Sequence, residues 1–289
     1  MSKTAIMDIG SNSVRLMWGK DGALNRKMIL TTQLSEGMDA SGYLSDAAID
    51  RTLAAMADQS AYAKMNGAER IVAFATEAVR RASNGAAFCC LVKDRLGINV
   101  EVIDGETEAR CGFSGARGLA KGRVGILDIG GASVELSVGD EAPEFVKSLP
   151  IGVVRMKERY GRNFTAFRQD LKELTSPYLD APAFDTLIGI GGTPTSLIAV
   201  LDGFESYDPS RVHGRTVSRD ALERVADETA KIGAEEFCRR YPTVAPRRAE
   251  VLPFGFYTLL GILDCLGFEA LTVSEQDNLE GYARLRGLG

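Results

Sequence analysis

Histidine is almost absent from this sequence: His213 is the only one in 289 residues. A single histidine excludes histidine-rich metal sites and leaves little room for Ser-His-Asp catalysis, so acid–base chemistry would fall to carboxylates. The cysteines are odd in number and no two of them have a CxxC spacing: Cys89, Cys90, Cys111, Cys238 and Cys265. We therefore expect reduced thiols in a cytoplasmic protein, with neither a disulfide framework nor a zinc site.

Long apolar runs and a basic surplus are also missing. The chain has no run of membrane-spanning length, and its first residues lead into a predicted strand without a signal peptide. Its 34 Lys and Arg residues are outnumbered by 39 Asp and Glu residues. These absences argue against a membrane protein and against general nucleic-acid binding. A polyanionic substrate would need a few local cations and a metal ion to neutralise it.

The chain does contain an internal repeat. Residues 6–19 and 126–139 align without a gap, and eight of the 14 paired positions are identical. Each copy is typical of a buried strand that ends in an aspartate, Asp8 or Asp128, followed by a Gly/Ser turn and a returning strand. Two unrelated Asp-containing turns would not explain this match. We therefore predict a duplicated functional module whose two hairpins enclose one phosphate chain.

The turns have the composition of phosphate sites. Glycine lets the backbone approach a ligand closely, and successive N–H groups in a tight turn bind anions. A third glycine turn, between a strand and a predicted helix, suits phosphate binding at a helix N-terminus. The predicted phosphate-binding residues are Gly10, Ser11, Asn12 and Ser13 in the first turn, Gly130, Gly131, Ala132 and Ser133 in the second, and Gly191, Gly192 and Thr193 in the third.

Strands and helices alternate along the chain, which predicts an α/β fold. A long helix, apolar around most of its circumference, is expected from Arg247 to Leu266. The repeat places a domain boundary near residue 120. We expect an N-terminal domain of residues 1–120 and a C-terminal domain of residues 121–278. Whether a last helix, residues 279–289, packs back on the first domain stays open.

Five motifs in combination resemble the exopolyphosphatase / guanosine pentaphosphate phosphohydrolase (Ppx/GppA) family. They are DIGSNSVR at residues 8–15, ATEAVR at 75–80, DGETE at 104–108, DIGGASVE at 128–135 and GIGGT at 189–193. The resemblance extends over essentially the whole chain, and the length is that of the short, two-domain members.

The resemblance implies two duplicated actin-like domains of the sugar kinase/Hsp70/actin class, ribonuclease H-like in fold, with the active site in the cleft between them. It also implies release of a terminal phosphate from polyphosphate or pppGpp that depends on Mg²⁺ or Mn²⁺. Glu108 matches the family's proposed catalytic glutamate. Asp128 and Glu135 are the main candidate metal ligands and Asp8 is a third, because Mg²⁺ needs only one or two carboxylates besides water and substrate oxygens.

Two stretches depart from the family's pattern. In the second turn Ala132 replaces a glycine and Val134 replaces a threonine. Alanine fits there only if its backbone φ is negative, and valine removes one hydroxyl from the phosphate contacts. Near the C-terminus, residues 274–281, which include Leu279, lack the family's usual arginine and glycine, although the candidate catalytic carboxylates are untouched.

Arg15 and Arg80 are predicted to face the phosphates. Arg15 occupies the hairpin position that Glu135 fills in the second copy, so the two hairpins would present opposite charges at equivalent places. The alternative for Arg15 is an ordinary exposed strand residue.

The remaining charged candidates carry weaker signals. Two arginine pairs, Arg239-Arg240 and Arg247-Arg248, could extend a basic track. Paired arginines on a helix more often form a solvated face. For His213, a contact with substrate and a structural role in a turn both stay open.

Together with the residues, the resemblance implies a hydrolase that releases terminal phosphate from inorganic polyphosphate, with metal assistance and a water molecule activated by Glu108. The rival within the class is hydrolysis of pppGpp to ppGpp, which needs the same centre and a place for guanosine. The fold also suits an ATP-dependent phosphotransferase or ATPase, although a glutamate beside the phosphates is better suited to activating water. A non-catalytic sensor of alarmone or polyphosphate is a further alternative, and a homodimer stays open.

Overall fold

The computed structural model describes residues 3–19 and 26–288, and these fold around two mixed β-sheets. The strands of the first sheet are β1 (Thr4–Ile9), β2 (Ser13–Trp18), β3 (Arg26–Thr31), β4 (Arg70–Ala75) and β5 (Val100–Val102). They lie in the order β3-β2-β1-β4-β5. The first three strands form an antiparallel meander, and β4 and β5 extend the sheet in parallel with β1.

The second sheet repeats this plan. Its strands are β6 (Val124–Ile129), β7 (Val134–Gly139), β8 (Pro143–Leu149), β9 (Thr186–Ile190), β10 (Thr216–Ser218) and β11 (Ala270–Val273). They lie in the order β10-β11-β9-β6-β7-β8. An antiparallel meander again precedes two parallel strands, and β10 is added antiparallel at the edge. The predicted α/β class with two duplicated actin-like sheets is confirmed.

Thirteen α-helices surround the sheets within the described ranges. They are α1 (Met38–Ser41), α2 (Asp46–Met65), α3 (Glu77–Arg81), α4 (Gly85–Leu96), α5 (Gly105–Ala116), α6 (Val153–Tyr160), α7 (Phe164–Thr175), α8 (Gly192–Leu201), α9 (Arg219–Lys231), α10 (Ala234–Arg240), α11 (Pro246–Ala249), α12 (Leu252–Leu266) and α13 (Asn278–Leu285). In the part of the chain that the structure covers, none of these helices has the length and apolarity that crossing a membrane requires.

Two helices pack between the sheets. On α5, Phe113 lies in an apolar cluster with Ile126 of the second sheet. On α13, Tyr282 stacks on Phe74 of the first sheet, with ring centroids 4.4 Å apart. The two helices approach closely at Gly281, where a Cβ would lie only 1.7 Å from the backbone oxygen of Cys111. The absence of a side chain at Gly281 permits this approach. The end of α5 and the start of α13 therefore bring side chains to the junction of the two sheets.

The helix predicted from Arg247 to Leu266 is in fact two helices, α11 and α12, separated by residues 250 and 251. Pro253 lies at the beginning of α12. Proline has no N–H to continue the helical ladder and its ring clashes with the preceding turn, so it starts a helix more readily than it continues one. The apolar character was predicted correctly, since residues 252–263 of α12 are all buried. The break leaves α11 as a separate turn at the cleft.

Candidate functional site

A cavity of about 80 Å³ lies where the two repeated hairpin turns meet. It brings together most of the residues that the sequence predicted for the site. Those that line it are Asp8, Gly10, Ser11, Asn12, Ser13 and Arg15 from the first hairpin, Asp128, Gly130, Gly131, Ser133 and Glu135 from the second, and Glu108, Gly191, Gly192 and Thr193. Of the predicted set, Arg80 and Ala132 do not line it.

The two turns share one backbone geometry. The N–H of Gly10 donates to the carbonyl of Ser13, and the N–H of Gly130 donates to the carbonyl of Ser133, both at 3.0 Å. The turns also touch each other at Gly131, where a Cβ would lie 2.8 Å from the backbone nitrogen of Asn12. Only glycine permits this approach, so the repeat forms the two facing walls of one small cavity.

Ala132 fits the second turn without strain. Among the residues that the structure covers, Gln33 is the only non-glycine with a positive φ, so Ala132 meets the condition that the sequence set for it. Ala132 is buried, and its carbonyl accepts a hydrogen bond from the N–H of Gly152 at 3.2 Å. The departure from glycine therefore leaves the turn intact.

In the first hairpin, the buried aspartate forms an ion pair with a side chain of the protein itself. Asp8 is fully buried, and its Oδ2 accepts from Nε of Arg15 at 2.9 Å. Nη1 of Arg15 donates to Oδ2 of Asp277, also at 2.9 Å, and Nζ of Lys27 lies 3.3 Å from Asp277 and 2.8 Å from Glu280. Arg15 lines the cavity, but two carboxylates already bind it. It neutralises buried acids, and its predicted contact with phosphate stays a prediction.

In the second hairpin the charges repel. Glu135 lies opposite Asp128 in the strand pairing, where the first hairpin has Arg15 opposite Asp8. Burial, followed by the charge of Asp128, raises the pKa of Glu135 to about 7. Burial raises the pKa of Asp128 to about 6, although Arg15 and the amide of Asn278 act against the increase. The two carboxylates therefore have too few cationic neighbours to neutralise both of them.

Neutral donors hold these two carboxylates in place. Nδ2 of Asn278 donates to Oδ2 of Asp128, and Oγ of Ser148 donates to Oε1 of Glu135, both at 2.7 Å. Each carboxylate keeps an oxygen that these two bonds do not use. Asn278, at the start of α13, is a site residue that the sequence analysis did not single out.

Glu108 lies in the first turn of α5 and is 7% exposed. Its Oε2 accepts from Nη1 of Arg80 at 3.2 Å. Burial, followed by the charge of Glu135, raises the pKa of Glu108 well above its ordinary value. A carboxylate with a raised pKa accepts a proton more readily near neutral pH, which suits a general base.

Arg80 holds Glu108 instead of facing the cavity. Besides Glu108, its guanidinium donates to the carbonyl of Ile103 at 2.7 Å and to Oε2 of Glu77 at 3.0 Å. With its donors directed to these three partners, Arg80 positions the glutamate. Arg80 does not line the cavity, and its contact with phosphate stays a prediction.

The third glycine turn completes the cavity together with Arg248. Gly191 has a φ of +83°, and a Cβ there would lie 2.9 Å from Oδ1 of Asp128. The guanidinium of Arg248 covers Gly192, since its nitrogen atoms lie 3.0 and 3.1 Å from the position of a Cβ on that residue. Nη2 of Arg248 also lies 3.4 Å from Oγ of Ser13. Arg248, for which the sequence left a basic track and a solvated face as alternatives, is thus a cation of the cavity.

A model of the Ppx/GppA phosphatase family matches residues 7–283. The chain belongs to the Ppx/GppA family. It is similar to exopolyphosphatase 2 of Mycobacterium tuberculosis, at 30% identity over 98% of each chain. It is also similar to the crystal structure of the Aquifex aeolicus Ppx/GppA family member, at 31% identity and a TM-score of 0.78, over 99% of this chain and 98% of that one.

An exopolyphosphatase from Cytophaga hutchinsonii shares the fold, with a TM-score of 0.87 over 100% of this chain and 99% of that one, at 22% identity. The family assignment confirms the resemblance that the five motifs carried. This protein is therefore a phosphoanhydride hydrolase of the Ppx/GppA family.

The cavity of this Ppx/GppA protein offers oxygen atoms that suit a divalent cation, although its described side chains do not form a complete metal-binding cluster. Among the described residues, no three Asp, Glu, His or Cys side chains are grouped so as to bind a metal. Three buried side-chain oxygens of lining residues lack a hydrogen-bond partner: Oδ1 of Asp8, of Asn12 and of Asn278. Mg²⁺ binds one or two carboxylates and fills its other positions with water and substrate oxygens. Asp128 and Glu135, with these free acceptors nearby for bound water, fit that requirement.

Two weaker candidates have no part in the Ppx/GppA cavity. Arg239 and Arg240 are exposed on α10 and pair with Glu236, so they do not form a basic track to the site. Nδ1 of His213 accepts from the N–H of Glu275 at 3.3 Å. Its position within a loop contact favours the structural alternative for this residue.

Proposed function

We propose that this protein releases the terminal phosphate of inorganic polyphosphate, with Glu108 as the general base and with Mg²⁺ or Mn²⁺ held at Asp128 and Glu135. The observation that carries the proposal is the position of the buried Glu108 in the cavity that the two glycine turns form. Hydrolysis of a phosphoanhydride needs an oriented water molecule, an acceptor for its proton and positive charge on the transferring group. The cavity offers a candidate for each requirement.

Glu108 supports the base role through its environment. Arg80 fixes the carboxylate by a hydrogen bond from Nη1, and burial keeps bulk water away from it. The charges of Glu135 and Asp128 help to raise the pKa of Glu108. A divalent cation bound to those two residues would cancel their charges and polarise the phosphate. In that state Glu108 would be ionised near neutral pH and able to take the proton of the attacking water.

The phosphate contacts proposed for this site come mainly from backbone and from one arginine. Residues of the turns at 10–13 and 130–133 line the cavity from two sides, and residues at the N-terminus of α8 line it from a third. Backbone N–H groups and helix N-termini favour anions. Arg248 would add the positive charge, since no described carboxylate forms an ion pair with it and its two hydrogen bonds go to serine hydroxyls.

A second candidate function is hydrolysis of pppGpp, and one observation favours it. A larger cavity of about 360 Å³ adjoins the first and shares four lining residues with it: Arg15, Gly191, Gly192 and Arg248. It continues along residues that offer hydroxyl, carboxylate and apolar contacts: Thr195, Ala199, Tyr207, Val244 and Glu275. A substrate with its terminal phosphate in the small cavity would have room for a nucleoside in the larger one.

Phosphate release from four substrates tests these alternatives. Long polyphosphate, tripolyphosphate, pppGpp and ATP are each supplied with and without Mg²⁺. We expect phosphate release from polyphosphate, and we expect chelator to stop it. Faster phosphate release from pppGpp than from polyphosphate would favour the second candidate function instead. Transfer of labelled phosphate from ATP to an acceptor would point to a phosphotransferase instead. Tight binding of pppGpp or polyphosphate without turnover would point to a sensor.

A further inference from the structure

Gln33 has an unusual backbone conformation for its residue type. Its φ is +50°, and within residues 3–19 and 26–288 no other non-glycine residue has a positive φ. The residue is 1% exposed, in the connection between β3 and α1. Left-handed backbone is unfavourable for residues with a Cβ and persists where surrounding contacts enforce it, often at functional sites. The contacts of Gln33 therefore define its role.

The backbone around Gln33 is attached to the first phosphate turn. The N–H groups of Thr32 and Gln33 both donate to the carbonyl of Asn12, at 3.0 and 2.9 Å. The N–H of Ser35 donates to the carbonyl of Ser11 at 3.0 Å. The segment thus follows the turn that forms one wall of the cavity.

The side chain of Gln33 is attached to the opposite side of the cleft. Its Nε2 donates to the carbonyl of Arg247 at 3.0 Å, and its Oε1 accepts from Nη1 of Arg247 at 3.0 Å. One amide therefore makes a reciprocal pair of hydrogen bonds with one residue of α11. The left-handed backbone of Gln33 is what allows the same residue to contact the phosphate turn through its main chain and α11 through its side chain.

Arg248 is the next residue along α11, and few other contacts fix its guanidinium. The two hydrogen bonds of that group are long, 3.4 Å to Ser13 and 3.5 Å to Ser196. No described carboxylate forms an ion pair with it, so its direction depends on the backbone that carries it. The bond from Gln33 to the carbonyl of Arg247 acts on that backbone one peptide away.

We propose that Gln33 is a positioning residue that orients Arg248 over the phosphate site. The proposal rests on the proposed function, in which Arg248 binds phosphate. Gln33 thereby fixes the distance between the first phosphate turn and Arg248, which comes from the other side of the cleft. Loss of this link leaves the fold and Arg248 in place but lets the guanidinium take other directions.

Gln33→Asn is the variant that separates these effects. Asparagine tolerates positive φ and keeps an amide, but it is one methylene shorter and does not reach Arg247. We expect kcat/KM on tripolyphosphate to fall roughly tenfold, mostly through KM, since one misplaced charge-assisted contact is worth about that factor. The melting temperature should fall by only a few degrees, because the variant loses the two hydrogen bonds of one buried amide and little apolar packing.

The decisive measurement is a double-mutant cycle with Arg248→Ala. If Gln33 acts through Arg248, Gln33→Asn has no further effect on kcat/KM once Arg248→Ala is present. Gln59→Asn is the matched control: Gln59 is also buried and donates to backbone carbonyls, those of Val14 at 3.1 Å and Met28 at 3.4 Å, and neither of these residues lies in α11. Its effect should be on the melting temperature and should be the same with and without Arg248→Ala.

Two readouts keep the outcomes distinct. The affinity of Glu108→Gln protein for tripolyphosphate is measured in the same cycle, because it needs no turnover. Additive effects of Gln33→Asn and Arg248→Ala in both readouts would overturn the positioning role while the proposed function stands. An Arg248→Ala protein with unchanged kcat/KM and unchanged affinity would remove Arg248 from phosphate binding, and the role of Gln33 with it. Gln33→Gly, which relieves the backbone strain, should reproduce the loss of Gln33→Asn if the latter fails to fold.

Discussion

The two hairpins have the same backbone and opposite electrostatics. In each, the strand pairing places the turn-preceding aspartate opposite the residue two positions after the turn serine: Asp8 opposite Arg15, and Asp128 opposite Glu135. In each, the glycine after the turn-preceding strand donates to the serine carbonyl at 3.0 Å. The duplication therefore preserved the anion-binding turn and changed the charge at one paired position.

That single position gives the two hairpins different chemistry. Arg15 pairs with Oδ2 of Asp8, so the first hairpin already contains a cation beside its buried aspartate. Burial raises the pKa of Asp128 to about 6, and burial together with the charge of Asp128 raises the pKa of Glu135 to about 7. Burial also raises the pKa of Asp8, but there the charge of Arg15 acts against the increase. A buried pair of like charges is stable only when it binds a proton or a cation. We therefore infer that the second hairpin is the reactive half of the cavity, and four predictions test this division.

The largest effect is expected from Glu108→Gln, because Glu108 lies beside the second hairpin and responds to its charge. The variant should lower kcat by roughly 10² to 10⁴, the usual loss for a missing general base. KM and the melting temperature should change little, since the amide is nearly isosteric. Glu106→Gln is the matched control: this glutamate is in the same turn of α5 but is exposed and paired with Arg110. Steady-state kinetics that leave Glu108→Gln with more than about a tenth of wild-type kcat would contradict the base role.

Arg15→Met should be the most destabilising of the charge changes. It leaves Asp8 and Asp277 buried without their partner, and removing one member of a buried ion pair costs about 3–5 kcal/mol. The measurement is the free energy of unfolding from urea titration. Arg240→Met is the control, since Arg240 also pairs with two carboxylates but is exposed, so its loss should cost at most about 1 kcal/mol. Equal losses in the two variants would mean that the first hairpin does not depend on its internal ion pair.

The parts of this molecule that local sequence determines were predictable. The repeat, its turn length and its register depend on residues within one hairpin, and they predicted correctly that Arg15 and Glu135 would be equivalent. The duplicated sheets follow from the same repeat. By contrast, the division of residues 247–266 into two helices was missed, because the apolar pattern was given more weight than Pro253.

The partners of the charged residues were not predictable, because they come from distant parts of the chain. Arg15 binds Asp277, 262 positions away, and Arg80 binds Glu108, 28 positions away. A short-range pattern shows that an arginine is present but not whether a carboxylate already neutralises it. Arg248 is the converse case, since its isolation from acids becomes visible only when α11 packs over Gly192. One available signal was overlooked: the D-x-x-E spacing of Asp277 and Glu280 indicates the capping box that starts α13.

A smaller effect, on metal requirement, should separate the two aspartates. Asp128→Asn should raise the Mg²⁺ concentration needed for half-maximal activity roughly tenfold or more, because it removes one of two carboxylate ligands. Asp8→Asn, at the equivalent position, should leave that concentration nearly unchanged, since Arg15 already neutralises Asp8. Titration of activity with Mg²⁺ after chelation measures both. The reverse pattern would assign the cation to the first hairpin and invert the comparison.

The smallest effect should appear in the pH dependence of stability, and it concerns Glu135. Its pKa is raised to about 7 in the folded protein from an ordinary value of 4.5. Between these pH values the folded state binds a proton that the unfolded state does not, so this group's contribution to the free energy of unfolding is fully present below about pH 4.5 and is lost as pH rises through about 7. Glu135→Gln, whose amide oxygen can still accept from Ser148, should remove that dependence. With chelator at pH 8 the variant should be more stable than the wild type by about 1–3 kcal/mol.

The sign of this difference decides between two descriptions of the second hairpin. If Glu135 is held as a repelled carboxylate, Mg²⁺ at pH 8 should raise the melting temperature of the wild type more than that of Glu135→Gln, because only the wild type gains a ligand and loses a repulsion. Glu144→Gln, on β8 in an exposed pair with Arg123, should be nearly neutral at both pH 5 and pH 8. A Glu135→Gln protein less stable than the wild type at pH 8 without metal would mean that neighbouring donors already stabilise the ionised carboxylate. The second hairpin would then be as balanced as the first, and the cation would have no electrostatic reason to prefer it.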